Sequence, residues 1–218
     1  MTTLIGQALR ESRRKLFLSA LVGGGIVLCD LALSWRVQYM TPYRLGFLLV
    51  AVAAYGSWTR WDSASLGLTF RPVQGYGYWF KATVLIGLLM LGFLAATALL
   101  YRAFGATLHF YRRPPSEIWP WLYYACINAP ILEEVVYRFI LCVPATALAR
   151  PLGAIVLSGA AFAALHVATG VASPDNLIAG YILAWAYLKS GSLFVPVTLH
   201  LLGNSCVLIV EVAAWHWG

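Results

Sequence analysis

Two carboxylates and a guanidinium fall within six residues, EEVVYR from Glu133 to Arg138, in the middle of an apolar run. A membrane-buried helix tolerates such groups poorly. Each costs roughly 2.5–3.5 kcal/mol at a bilayer centre on insertion scales. Left unpaired, the three would cost on the order of 7–10 kcal/mol, comparable to the whole stability of many proteins. The chain must therefore fold so that these groups are paired, wetted or used. Two later apolar segments carry further polar side chains at helical spacing: His166, four residues after Phe162, and His200, four residues before Asn204. Together the three segments predict a hydrolytic site built inside a membrane.

Composition supports the membrane setting. Of 218 residues, 61% are hydrophobic and only 11% are charged. A soluble domain averages about 25% charged residues. The chain reads as all-α, a single integral membrane domain over residues 1–218, with no room for a large soluble domain. Candidate helices lie near 16–35, 43–59, 79–101, 117–149, 151–168, 176–189 and 193–216. A span needs about 20 apolar residues. The 117–149 segment is longer and holds Pro130 and Pro144. It reads either as one kinked helix or as an interfacial helix leading into a span. The expectation is a polytopic helical bundle with seven to eight transmembrane helices.

The net charge is +7. Nucleic-acid binding requires a clustered, exposed basic surface. Here Lys and Arg stand mostly at the ends of apolar runs, where they meet lipid headgroups and set topology. The sequence argues against a nucleic-acid partner. With the N-terminus inside and seven spans, nine basic residues fall on the inner side. Five fall outside: Arg36, Arg44, Arg102, Arg112 and Arg113. That excess predicts a cytoplasmic N-terminus. The first apolar run follows basic residues and precedes no small-x-small site, so it reads as a retained signal anchor. Cys29, Cys126, Cys142 and Cys206 show no CxxC spacing and read as apolar filler.

Helical geometry sorts the EEVVYR side chains. Glu134 and Arg138 are i,i+4 neighbours and can pair along one face. Glu133 is rotated by about 100° from Glu134. Its partner must come from another helix, which makes it the better working carboxylate. His166 follows Phe162 on the same face of the next helix. His200 and Asn204 share one face of the last. A carboxylate, two imidazoles and a carboxamide suit amide hydrolysis by water. Glu133 takes a proton from water held with His166. His200 and Asn204 donate to the developing oxyanion. Taken singly, the residues have simpler readings. Glu134 and Arg138 can be a structural pair, Phe162 packing and Asn204 helix–helix glue.

Asp30, Glu211, His109 and His216 are assigned no chemistry. No HExxH and no serine-nucleophile turn is present. Glu133, His166 and His200 can still ligate zinc, so metal-bound and carboxylate-activated water both remain open here.

EEVVYR fits EExxxR, FAALH (Phe162 to His166) fits FxxxH, and HLLGN (His200 to Asn204) fits HxxxN. In type and order these resemble the three motifs of the CAAX-processing and bacteriocin-processing (CPBP, or Abi) intramembrane endopeptidases. The resemblance covers residues 117–210. It implies an all-α membrane bundle with a cavity open to the bilayer. It implies Glu133 and His166 as water activators, His200 and Asn204 as the oxyanion site, and Glu134, Arg138 and Phe162 in support. It implies a metal-free glutamate mechanism without cofactor. The implied substrate is a membrane-anchored protein or a lipidated or hydrophobic peptide, cut in C-terminal processing or sorting-signal removal. The implied location is a prokaryotic inner membrane. Two other classes compete. One is a non-enzymatic immunity factor or scaffold. The other is a proton-coupled carrier using intramembrane Glu and His as a relay.

Overall fold

The computed structural model describes residues 3–36, 40–105 and 111–217. These form helices and turns, with no strand among the described residues. His109 lies outside them. The long helices are α1 (Arg13–Ser34), α2 (Thr41–Thr59), α4 (Tyr76–Ala103), α7 (Val143–Ala168), α8 (Pro174–Ser190) and α9 (Phe194–Trp217). Shorter ones are α3 (Ser63–Leu66), α5 (Ile118–Tyr123) and α6 (Ala129–Glu134). Each region expected to be helical is helical.

Among the described residues, four stretches are long and apolar enough to cross a membrane: Arg13–Ser34, Tyr76–Ala103, Pro115–Ala168 and Phe194–His216. The chain is an integral membrane protein. α2 and α8 fall outside this set. α2 carries Arg44 among its apolar residues, and α8 has only 17 residues.

The 54-residue stretch from Pro115 to Ala168 is not one regular helix. π-helical segments occupy Tyr124–Asn128 and Val135–Cys142, on either side of α6. Each ends two residues before a proline, Pro130 or Pro144. A proline offers no N–H, and its ring clashes with the carbonyl four residues back. A widened turn moves that carbonyl aside. The Ile140 carbonyl, four residues before Pro144, instead accepts from the Tyr55 hydroxyl at 2.8 Å. A sharper break follows at Arg150 (φ 62°, ψ 171°). Pro151 disfavours helical backbone at the residue before it. Near this break the Thr146 carbonyl accepts from Arg10 Nη2 at 2.7 Å.

The chain divides into two compact units. The first comprises residues 1–73 and 131–197. Its core includes Tyr55, Tyr137, Phe139, Ile140, Phe162, Tyr187 and Leu188. α7 packs on α8 and on α1. The α7–α8 contact is close because Gly180 lacks a side chain. A Cβ there would lie 2.9 Å from Phe162 Cβ and 3.0 Å from the Gly159 carbonyl. Ser12 caps α1, and Lys15 Nζ donates to the Trp58 carbonyl near the end of α2 at 2.8 Å. Lys15 thus serves helix carbonyls at the negative end of the α2 dipole.

The second unit comprises residues 74–130 and 198–218. Arg113 organises part of it. It was expected in an outer loop as a headgroup anchor, yet it is only 3% exposed. It bonds Glu211 at 2.7 Å and Glu117 at 2.9 Å, and it lies 3.7 Å from the Trp121 ring centre. Cation–π contact and two carboxylates together hold it indoors. Glu211, assigned no chemistry from the sequence, is the α9 end of this tie.

Candidate active site

Glu134 and Arg138 form the ion pair expected from their spacing. Arg138 Nε lies 2.9 Å from Glu134 Oε2, and Nη2 donates to Oε1 at 3.3 Å. Both side chains are fully buried. Arg138 Nη1 donates to the Ser158 hydroxyl at 2.8 Å, and that hydroxyl donates to the Tyr137 carbonyl at 2.7 Å. Ser158 thus links two consecutive residues of the π-helical segment to α7. Their mutual contact and the Ser158 hydroxyl offset part of the cost of burying these groups.

Phe162 sits against this pair. The Arg138 guanidinium lies 5.0 Å from its ring centre, and the Tyr137 ring meets it edge-on at 5.7 Å. On its other side is the His166 ring, 4.5 Å between centres. Phe162 therefore joins the EEVVYR segment to the histidine of α7. Its carbonyl lies 3.0 Å from His166 Nδ1. A carbonyl only accepts, so Nδ1 carries the proton. In the neutral ring Nε2 is then left as the basic nitrogen. His166 is partly exposed, unlike Phe162.

Glu133 takes its cationic partner from another helix, as its rotation requires. Arg44 of α2 places Nη1 3.5 Å from Glu133 Oε1. Arg44 is held more tightly by Asp30 of α1. Nε bonds Oδ1 at 2.8 Å and Nη2 bonds Oδ2 at 3.1 Å. The Tyr137 hydroxyl donates to the same Oδ2 at 2.8 Å. Sequence reasoning missed this cluster. It placed Arg44 on the outer side, at the start of the 43–59 helix, and assigned Asp30 no chemistry. A usable signal was present. Asp30 lies in the last turn or so of α1 and Arg44 in the first turn of α2, so a short helical hairpin brings opposite charges to one depth.

His200 and Asn204 belong to the second unit, on one face of α9. His200 is buried. Asn204 Nδ2 donates to the Ala125 carbonyl at 2.6 Å. That carbonyl lies in the first π-helical segment, where the Ala129 N–H serves Tyr124, five residues back. The equivalent donor for Ala125 would come from Pro130, which has none. The Asn204 amide supplies it and is oriented by doing so.

Among the described residues, no three His, Cys, Asp or Glu side chains are grouped to hold a metal ion. Glu133 and His166 belong to the first unit and His200 to the second.

The first unit thus holds buried ion pairs on apolar helices near a histidine whose Nδ1 donates to the Phe162 carbonyl. Residues 115–206 match the family model described as type II CAAX prenyl endopeptidase Rce1-like. The match contains all three motifs. No curated protein matches the chain, and no solved structure does.

Proposed function

We propose that the protein is an intramembrane endopeptidase that hydrolyses a peptide bond of a membrane-anchored or lipidated protein near its C-terminus. The observation that carries this reading is the family match over 115–206, which contains Glu133, Glu134, Arg138, Phe162, His166, His200 and Asn204. The Phe162 carbonyl on His166 Nδ1 supports it, because Nε2 is then free to accept from water. Glu133 removes a proton from that water, and the resulting hydroxide attacks the scissile carbonyl carbon. His200 and Asn204 donate to the oxyanion. The C–N bond then breaks, and the proton on Glu133 passes to the leaving amine. Glu134, Arg138 and Phe162 hold the frame and do not react. The chain works without a cofactor as one membrane domain. In this reading α2, α8 and both halves of the 115–168 stretch bring the spans to seven or eight, and the N-terminus faces the cytoplasm of a prokaryotic cell.

The test compares cleaved C-termini across the membrane proteome in cells with wild-type protein or Glu133→Gln at equal abundance. Ends that vanish in the variant are expected, and they identify the substrates. Identical termini in both cells, with both proteins folded, would point instead to a scaffold or a carrier.

A further inference from the structure

The geometry points to Asp30, Arg44 and Tyr137 as a tether that sets the position of the Glu133 carboxylate. The inference rests on the reading of Glu133 as the working base. Arg44 is anchored through two of its nitrogens, at 2.8 and 3.1 Å from the Asp30 oxygens. The third reaches Glu133 Oε1 at 3.5 Å. A guanidinium is planar and rigid, so fixing two nitrogens fixes the third. Asp30 is itself fixed by a second donor, the Tyr137 hydroxyl at 2.8 Å. Tyr137 and Glu133 are four residues apart on the same segment. The tether therefore leaves that segment at Tyr137, passes through α1 and α2, and returns to it at Glu133.

The strengths are graded in a way that suits a positioning device. Asp30 is fully buried and takes the short contacts. Arg44 reaches Glu133 at a longer distance, and Glu133 is 9% exposed. A carboxylate gripped by two short bonds would be a poor proton acceptor. One that the guanidinium approaches at the longer distance is given a direction without being gripped by it. Arg44, Asp30 and Tyr137 are thus positioning residues. None of them is assigned a contact with substrate.

The test uses the purified full-length protein in detergent and two readouts. Turnover is followed with a quenched-fluorescent peptide ending in a farnesylated cysteine and three further residues. Tyr137→Phe removes one hydroxyl and keeps the ring. It should lower kcat about three- to tenfold with KM within about twofold, in the range expected when a group is slightly misplaced. Arg44→Gln should lower kcat about 100-fold, and Arg44→Lys should recover part of that loss because it restores charge without the fork. Melting temperatures supply a double-mutant cycle for Arg44→Gln and Glu133→Gln. The double variant should depart from the sum of the singles by at least about 3 °C. Additive melting shifts, or wild-type kcat in folded Tyr137→Phe and Arg44→Lys, would overturn the tether. Coupled melting in a wild-type protein that never cleaves the peptide would support the tether and count against the peptidase reading. The two failures are therefore distinguishable.

Discussion

Glu133 and Glu134 are adjacent in the chain and have opposite surroundings. Glu134 is sealed. It is 0% exposed and shares two nitrogens of Arg138, which Ser158 and the Phe162 ring hold from the other side. Glu133 is 9% exposed and meets Arg44 through one contact at 3.5 Å. The difference follows from the 100° step of a helix, which sends neighbouring side chains to different partners. One carboxylate is paired along its own segment, the other across helices. The proposed function assigns the fully buried Glu134–Arg138 pair to the architecture. It assigns the chemistry to the carboxylate that is paired across helices.

That contrast can be broken or sharpened by substitution. The largest expected effect is on the sealed side. Arg138→Ala strands the Glu134 carboxylate and should cost about 3–5 kcal/mol of stability, seen as lower yield and melting temperature. A well-folded, fully active Arg138→Ala protein would break the comparison. The double replacement Glu134→Leu with Arg138→Met should recover much of that loss, because apolar pairs of similar size often replace buried ion pairs at little cost. Thermal melting of the double variant against Arg138→Ala checks this. In the second unit, Asn204→Leu should cost roughly 1–3 kcal/mol, because the Ala125 carbonyl loses its donor, and it should also reduce turnover. A stability loss with unchanged turnover would move Asn204 to the architectural side. Ser158→Ala removes one bond to Arg138 and one to the Tyr137 carbonyl. It should cost about 1–2 kcal/mol with turnover nearly unchanged, as checked by melting and peptide cleavage. The smallest effect is expected from Tyr55→Phe, about 1 kcal/mol, the typical net worth of the one hydroxyl bond lost at the Ile140 carbonyl.

Much of this was legible in the sequence, and the limits have physical causes. Apolar runs located the helices, and the break at Arg150 follows from Pro151. The Glu134–Arg138 pair follows from i,i+4 spacing, and the outside partner of Glu133 from its rotation. The identity of that partner was not legible. Arg44 looked like a topology-setting charge because single charges near helix ends usually are, and only the α1–α2 hairpin turns it towards Asp30. Arg113 was misread for the same reason. Its burial depends on Trp121, Glu117 and Glu211, which are up to 98 residues apart in sequence from it. The two π-helical segments were also missed. Pro130 and Pro144 marked the places, but a proline predicts an irregularity and leaves its form to packing.

The central claim is the division of labour between the adjacent glutamates. Its most direct test is peptide turnover and thermal melting of Glu133→Gln and Glu134→Gln, measured side by side in the same detergent. The account predicts that Glu133→Gln loses at least about 100-fold in kcat with little change in melting, while Glu134→Gln melts markedly lower and, when folded, keeps more activity than Glu133→Gln. The reverse pattern, with turnover retained in Glu133→Gln and lost in a stably folded Glu134→Gln, would contradict it.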